Sequence, residues 1–112
     1  MGLKRGEIWT VAGGPDYAGK PRPAVIVQND AFDVTASVTI CGITTNTAEA
    51  SLCRITVEPS DENGLRSPCR IMADKITTVA LSQLGVRVGS LEHEDLLRWN
   101  RALILFLNLV EA

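Results

Sequence analysis

Short segments with strand chemistry follow one another at close spacing through most of this chain, and that spacing limits the possible fold. The first segment, "EIWTV" (Glu7–Val11), alternates, with Ile8 and Thr10 on one face and Trp9 and Val11 on the other. The later segments are "PAVIVQ", "SVTICGITT", "CRITVE", "SPCRIMADKITTV" and "GVRVG", with turn formers such as "AGGPDYAGKP" and "PSDENG" between them. This series predicts a small, strongly bent antiparallel sheet or barrel.

Two segments carry further expectations about the sheet. "PAVIVQ" (Pro23–Gln28) is a continuous apolar run, which is typical of a strand buried on both faces. Because Pro23 lacks an amide donor, we expect its strand to lie at an edge of the sheet or to open at this residue.

The end of the chain changes to a helical period. Apolar residues recur at helical spacing from Leu96 to Val110, which predicts one helix over Leu91–Leu109. Ser90 is a suitable N-cap for this helix, and the acidic residues after it favour the helix dipole. The second half, "ALILFLNLV", is apolar nearly all round, so one side can face the sheet and the remainder is expected to meet another subunit.

Composition narrows the class of protein. At 112 residues, 46% of them hydrophobic, the chain is expected to form one domain over residues 1–112. We expect a cytoplasmic location, because the N-terminus lacks a signal peptide and no apolar run is long enough to cross a bilayer. The three cysteines and one histidine lack metal-ligand spacing, so reduced thiols are expected and no metal or other cofactor.

Charge limits the kind of nucleic-acid contact that is possible. The net charge of −2 argues against a broad basic face that binds polyanions indiscriminately. Basic residues nevertheless exceed acidic ones in the first 28 residues, while acidic residues exceed basic ones in the predicted helix. Any contact with a polyanion must therefore be local and depend on a few placed side chains.

One arginine stands in an unusual setting, between two prolines in "KPRPAV". Pro23 pushes Arg22 into an extended conformation, and Pro21 stiffens the approach, so the guanidinium leaves the start of a strand in a reproducible direction. A guanidinium with its fixed donors suits a pair of phosphate oxygens. From the residues alone, the alternative remains open that Arg22 caps the sheet through a salt bridge.

Other constellations are open to two interpretations each. Thr44 and Thr45 end an apolar strand, where threonines are more often strand formers than catalytic residues. Asp74 and Lys75 carry opposite charges within a strand-like run, and their purely structural role would be an exposed ion pair. The glycine-rich loop is either a mobile connection or a lid over a polyanion. Tyr17 and Lys20 within it support the second interpretation.

Familiar catalytic arrangements are weak or missing in this sequence. His93 falls in the acidic first turn of the predicted helix, which leaves no suitable base for a serine or cysteine nucleophile. Asp61 and Glu62 lie together in a turn, where adjacent carboxylates are usually solvated. There is neither a phosphate-binding P-loop pattern nor a dinucleotide-binding glycine pattern.

Taken together, "RGEIWTV", the glycine-rich loop, "KPRPAVIVQND", "ICGITT", "ADKITTV" and the late helix resemble the MazF/PemK (Kid) toxin family. The order and spacing of these pieces run through nearly the whole chain. The resemblance implies a mainly β fold, an SH3-like antiparallel β-barrel with a C-terminal α-helix, and a homodimer. It also implies a toxin of a toxin–antitoxin module, with a MazE-like antitoxin as its partner.

The resemblance further implies metal-independent, sequence-specific cleavage of single-stranded RNA, which leaves a 2′,3′-cyclic phosphate and a 5′-hydroxyl. By position, Arg22 and Thr44 match the catalytic residues of the family. The loop Gly13–Lys20 matches a flexible loop beside the RNA groove, so its side chains Asp16, Tyr17 and Lys20 are implied to bind RNA. Asp74 and Lys75 match positions in the same groove.

Two other functions stay open on the sequence. The CcdB gyrase inhibitors share this fold and act through the C-terminal helix, for which "LFLNLVEA" would be the relevant segment here. A plain SH3-like binding module or an inactive toxin is the third possibility.

Overall fold

A computed structural model describes residues 2–12, 20–32, 36–46 and 52–110. Six strands and one helix make up this part of the chain. The strands are β1 (Glu7–Val11), β2 (Arg22–Ile26), β3 (Ser37–Thr44), β4 (Arg54–Val57), β5 (Cys69–Ala80) and β6 (Leu84–Ser90), and the helix is α1 (His93–Leu107). In the described ranges, no helix has both the length and the apolar character needed to span a membrane.

All six strands pair in one antiparallel sheet with the order β4-β5-β3-β2-β1-β6. The prediction of a mainly β, antiparallel fold with a C-terminal helix is confirmed. The first strand has the predicted bounds, and the other strands differ from the predicted segments by a few residues at their ends. Because β2 lies inside the sheet, the first alternative for Pro23, an edge strand, is wrong, whereas the second, a strand that opens at this residue, fits the β3 side of β2. Pairing with β3 begins only after the proline, at Ala24 and Gly42.

The start of the helix also corrects the prediction. Ser90 is the last residue of β6 and pairs with Glu7 of β1, so it is committed to the sheet and does not cap the helix. Its hydroxyl instead accepts a hydrogen bond from Nη2 of Arg87 at 2.7 Å. The helix begins at His93, with Glu92 at the N-cap position in extended conformation.

Side chains alternate between two apolar layers on either side of the sheet. Val25 belongs to the layer that the helix covers, whereas Ala24 and Ile26 belong to the layer on the opposite face. The prediction that this strand is buried on both faces is therefore confirmed. Helix α1 closes the first layer with Trp99 and Leu103, which are at most 6% exposed.

The two ends of the sheet approach each other through the turn that follows β4. The amide of Ser90 in β6 donates to the carbonyl oxygen of Glu62 in this turn at 2.9 Å. Gly64 has a φ of +69°, and a side chain on Gly89 of β6 would collide with the carbonyl of Asn63. These contacts curl the sheet, as the predicted barrel requires.

Asn63 is the buried centre of this turn. Its side chain is fully buried. Its Oδ1 accepts from the amides of Ser60 and Leu65, each at 2.9 Å, and its Nδ2 donates to the carbonyl of Glu58 at 2.9 Å. Because the side chain satisfies three backbone groups, it fixes the conformation that brings β4 against β6.

We expect Asn63→Ala to lower the free energy of unfolding by about 3 kcal/mol, because it removes three part-buried hydrogen bonds to the backbone at about 1 kcal/mol each. Urea unfolding followed by circular dichroism measures this change. Glu62→Ala is the matched control, since Glu62 is exposed in the same turn and contributes its carbonyl, which the substitution keeps. Equal stability of the two variants would contradict the role given to Asn63.

Candidate functional site

A row of polar side chains crosses the middle of the sheet on the face opposite to the helix. Ala24 pairs with Gly42, and continuing this antiparallel register by two residues aligns Arg22 of β2 with Thr44 of β3. Thr44 in turn pairs with Arg70 of β5. Residues at directly opposed positions project from the same face of a sheet, so Arg22, Thr44 and Arg70 belong to one face, with Thr44 on the strand between the two arginines.

The register of β5 brings two further predicted site residues to this face. Cys41 pairs with Ile76 and Ile43 with Ile71, so Gly42 of β3 stands opposite four residues of β5. The extra residues form a bulge that carries Asp74 and Lys75. A Cβ at Gly42 would lie 2.9 Å from Cε of Met72, so a side chain here would make the flexible end of Met72 move.

An open cavity of about 830 Å³ lies on this face. Its lining includes four of the predicted site residues, namely Arg22, Thr44, Asp74 and Lys75. Apolar side chains such as Ile40 and Met72 form much of its floor. The cavity thus combines cationic groups, one hydroxyl and apolar surface, a combination that can accept a phosphodiester together with the faces of bases.

Asp74 is held by an arginine from the neighbouring strand. Nε and Nη2 of Arg54 donate to its two carboxylate oxygens at 3.0 Å each. The Arg54 hydrogen bonds hold the pKa of Asp74 below its usual value. The structural alternative, an exposed ion pair between Asp74 and Lys75, is therefore wrong, because Asp74 pairs with Arg54 and both of these side chains are at least three-quarters buried.

Thr44 has a defined hydrogen-bonding state at the end of β3. Its Oγ1 accepts from the amide of Asn46 at 3.1 Å. A hydroxyl that accepts at its oxygen can still donate its hydrogen to another group. Thr44 can therefore donate to an anion in the cavity, while Thr45 does not belong to the cavity lining.

Three predicted RNA-contacting residues are not brought into the cavity by the described structure. Lys20 is exposed shortly before β2 and is not part of the lining. Asp16 and Tyr17 lie outside the described residues. The role of this segment therefore stays a prediction.

The histidine and the thiols lie away from the row. His93 lines a separate, shallower pocket together with Glu58 and Glu92. Cys41 is buried, and burial raises the pKa of its thiol to about 11, so it is protonated and unreactive near neutral pH. Within the ranges that the structure describes, no cluster of histidine, cysteine and acidic residues is arranged to hold a metal ion.

Sequence reasoning missed two residues of this face, Arg54 and Arg70. The alternation of side chains along the strands could have located both. Arg54 precedes Ile55 and Arg70 precedes Ile71, and because both isoleucines are core residues, both arginines must face the opposite side of the sheet. The pairing of Arg54 with Asp74, twenty positions apart, required the register of β4 and β5, which the strand pattern alone does not specify.

The chain is similar to a known protein family and to known structures. The family model described as "PemK-like, MazF-like toxin of type II toxin-antitoxin system" matches residues 4–107. A relative from Mycolicibacterium smegmatis (strain ATCC 700084 / mc(2)155), named "Probable endoribonuclease MazF", is 47% identical over 107 residues, which cover 96% of this chain and 98% of the relative. "Endoribonuclease MazF9" of Mycobacterium tuberculosis (strain ATCC 25618 / H37Rv) is 30% identical, with the same coverage of each chain.

Among solved structures, the fold is similar to one described as "Endoribonuclease in complex with its cognate antitoxin from Mycobacterial species". The TM-score is 0.82 with 27% identity, over 98% of this chain and 99% of that one. The match extends through the strands and the helix described above.

The Arg54–Asp74 pair generates a prediction about pH. Because the folded-state pKa of Asp74 is depressed, the pair stabilises the fold above the ordinary pKa of 3.8, and this contribution is lost as the pH falls through the lower folded value. We expect Arg54→Met to raise the pKa of Asp74, as measured by carboxyl-carbon NMR titration.

Arg98→Met serves as the control for that titration. Arg98 pairs with Asp95 on the helix, so its loss removes a guanidinium without touching Asp74. An unchanged Asp74 titration in Arg54→Met, or an equal shift in both variants, would contradict the assignment.

Proposed function

This chain belongs to the family of PemK-like, MazF-like toxins of type II toxin–antitoxin systems, and we propose that it is a sequence-specific endoribonuclease that cleaves single-stranded RNA without a metal ion. The names of its relatives support the activity. The alternative of a CcdB-like gyrase inhibitor is set aside, because the matching family is that of the nucleases. The proposal treats residues 1–112 as one toxin domain that acts in the cytoplasm.

The observation that carries the proposal is that Arg22 of β2 and Thr44 of the neighbouring strand β3 line the same cavity. The two side chains come from neighbouring strands of a continuous sheet, which is a rigid support. A guanidinium and a hydroxyl donor can therefore meet one phosphate in a fixed geometry.

The chemistry needs a nucleophile that the substrate itself supplies. The ribose 2′-oxygen forms a bond to the adjacent phosphorus, the bond from phosphorus to the 5′-oxygen breaks, and a 2′,3′-cyclic phosphate results. The proton lost by the 2′-hydroxyl is matched by the proton gained at the leaving 5′-oxygen. The protein has to align these atoms and stabilise the negative charge that develops on the phosphoryl oxygens.

We assign Arg22 to charge stabilisation and Thr44 to orientation of the phosphate. Arginine stays protonated near neutral pH, so Arg22 acts as a fixed cation rather than as a base. The Thr44 hydroxyl donates to a phosphoryl oxygen while its own oxygen accepts from Asn46. With a guanidinium in this role, the site does not need a divalent cation to neutralise the phosphate.

RNA sequence is read by residues around this centre. Asp74 and Lys75 project into the cavity from the bulge in β5, where one offers acceptors and the other donors. Arg54 fixes the orientation of the Asp74 carboxylate. The carboxylate can therefore accept hydrogen bonds from the amino groups of bases in a constant direction. Lys20, Asp16 and Tyr17 complete the RNA contacts in this proposal. Unpaired bases expose the edges that such side chains recognise.

Two protein partners are part of the proposal. An antitoxin of the MazE type with a disordered acidic tail would fit the cationic cavity, and the solved complex of a related endoribonuclease with its antitoxin supports this partner. The second partner is another copy of this chain. The end of the helix exposes a set of large apolar side chains that a monomer would leave in water, namely Leu105, Phe106, Leu107, Leu109 and Val110.

The nuclease proposal is tested with a long single-stranded RNA in EDTA. We expect wild-type protein to cleave it, and Arg22→Ala to lose about 100-fold or more in rate, because one preorganised donor to a developing oxyanion has an effect of this size. Thr44→Val, which keeps the shape but removes the hydroxyl, is expected to lose rate as well. The readouts are single-turnover rates and mapping of the cleaved ends.

Arg101→Ala is the control, since Arg101 is exposed on the helix, across the sheet from the cavity. Absence of cleavage by the wild type, or equal cleavage rates for wild type and Arg22→Ala, would contradict the nuclease proposal. Harmless expression in bacteria without the antitoxin would point to the inactive module instead.

The dimer is tested by sedimentation equilibrium. We expect Leu105→Glu to shift the protein from dimer to monomer, because it places a charge on the apolar end of the helix. Phe32→Glu is the matched control, as Phe32 is similarly exposed in a short 3-10 turn after β2. A wild type that is monomeric, or a Leu105→Glu variant that stays dimeric, would contradict the role of this surface.

A further inference from the structure

Arg70 is a half-buried arginine, and two of its guanidinium nitrogens are buried without a hydrogen-bond partner. Nε and Nη1 of its guanidinium have almost no solvent-accessible area, and neither has a hydrogen-bond partner. In the described ranges, Arg54, Arg87 and Arg98 form ion pairs with Asp74, Glu7 and Asp95, and none of these pairs includes Arg70. A buried charge without partners is unfavourable, so folding alone gives no reason for it.

Arg70 lies beside Thr44 on the face of the sheet that carries the proposed site. Arg70 pairs with Thr44 on one side and with Thr56 on the other, so its side chain leaves the same face as the Thr44 hydroxyl. Arg22 stands on the opposite side of Thr44 by the register of β2 and β3. Thr44 therefore lies on the strand between those of the two arginines, and all three residues belong to the same face of the sheet.

The two arginines differ in their surroundings. Arg22 is exposed and lines the open cavity, whereas Arg70 is half-buried just beyond the cavity lining, toward the edge strand β4. An RNA strand that places one phosphate at Arg22 and Thr44 and continues toward β4 passes over Arg70. If the side chain turned out toward the strand, phosphate oxygens would supply the acceptors that these two buried nitrogens lack.

We propose that Arg70 is a second phosphate-binding residue of this site, which contacts the RNA backbone on the β4 side of Thr44. The inference rests on the proposed nuclease function, because RNA is the polyanion that it names. Arg70 would add binding energy and direction to the strand, while the stabilisation of the scissile phosphate stays with Arg22 and Thr44. Loss of Arg70 would thus weaken RNA binding and leave the chemical step nearly intact.

The test uses Arg70→Met, which keeps an unbranched apolar side chain and removes the charge. We expect KM for the single-stranded RNA to rise about tenfold with little change in kcat. We also expect the slope of log K against log salt to become shallower by about 0.7, because one phosphate contact is lost. Thermal unfolding should occur at an equal or higher temperature, since a buried unpaired charge is replaced by an apolar group.

Binding is measured in parallel with a single-stranded DNA copy of the same sequence, which lacks the 2′-hydroxyl and cannot be cleaved. If wild type fails to cleave the RNA while the DNA copy still shows the slope change in Arg70→Met, the nuclease function fails and the phosphate site stands. If wild type cleaves but Arg70→Met keeps the wild-type slope and KM, the phosphate site fails alone.

Further variants separate charge from packing. Arg70→Lys keeps the charge and should retain most of the salt slope, whereas Arg70→Gln keeps N–H donors without charge and should lose as much as Arg70→Met. Arg101→Met is the matched control and should behave like wild type. A folded Arg70→Gln or Arg70→Met protein with the wild-type slope would overturn the inference.

Discussion

The pairing of β3 with β5 is the constraint on which the rest of this molecule depends. Along both strands, alternate side chains enter the layer under the helix, as Ile43 and Ile71 do. The residues between them face the cavity, as Thr44 and Met72 do. One ladder therefore fixes the hydrophobic core and the polar row at the same time. The bulge opposite Gly42 interrupts the ladder only where Asp74 and Lys75 are needed at the surface.

The positive charge of the site is confined to the cavity, as the negative net charge of the whole chain requires. A chain with a formal charge of −2 cannot attract RNA through its overall field. Arg22 and Lys75 instead concentrate positive charge at the cavity, and Arg70 stands beside it. The carboxylate of Asp74 does not cancel this charge, because Arg54 already neutralises it. Binding in this arrangement depends on the placement of a few cations rather than on their number.

Much of the fold followed from the sequence because the relevant signals are short-range. Strand periodicity located β1 to the residue, and the apolar run of β2 correctly implied burial on both faces. The prolines around Arg22 singled out this arginine before any register was known. The relation of Arg22 to Thr44 could be stated only through the family resemblance, since it depends on how β2 and β3 align.

The errors have a common physical origin, which is competition from distant partners. Ser90 is a good helix cap by its chemistry, but pairing with Glu7 places it in a strand instead. Asp74 is adjacent to Lys75, yet the planar fork of Arg54 across the ladder offers its carboxylate two hydrogen bonds. Arg70 drew no attention because a single arginine in an apolar strand has no local signature. Its proposed role depends on its pairing with Thr44 and Thr56 on the neighbouring strands, which only the structure shows.

The separation of the two sheet faces has a consequence for how such a protein can diversify. Substitutions at cavity positions such as Met72 or Lys75 leave the helix-covered layer untouched, so they carry little thermodynamic penalty for the scaffold. Under the proposed function, new preferences for neighbouring nucleotides could therefore arise by single changes in the bulge of β5. Proteins with this architecture can change their RNA sequence preference during evolution while each intermediate variant stays folded.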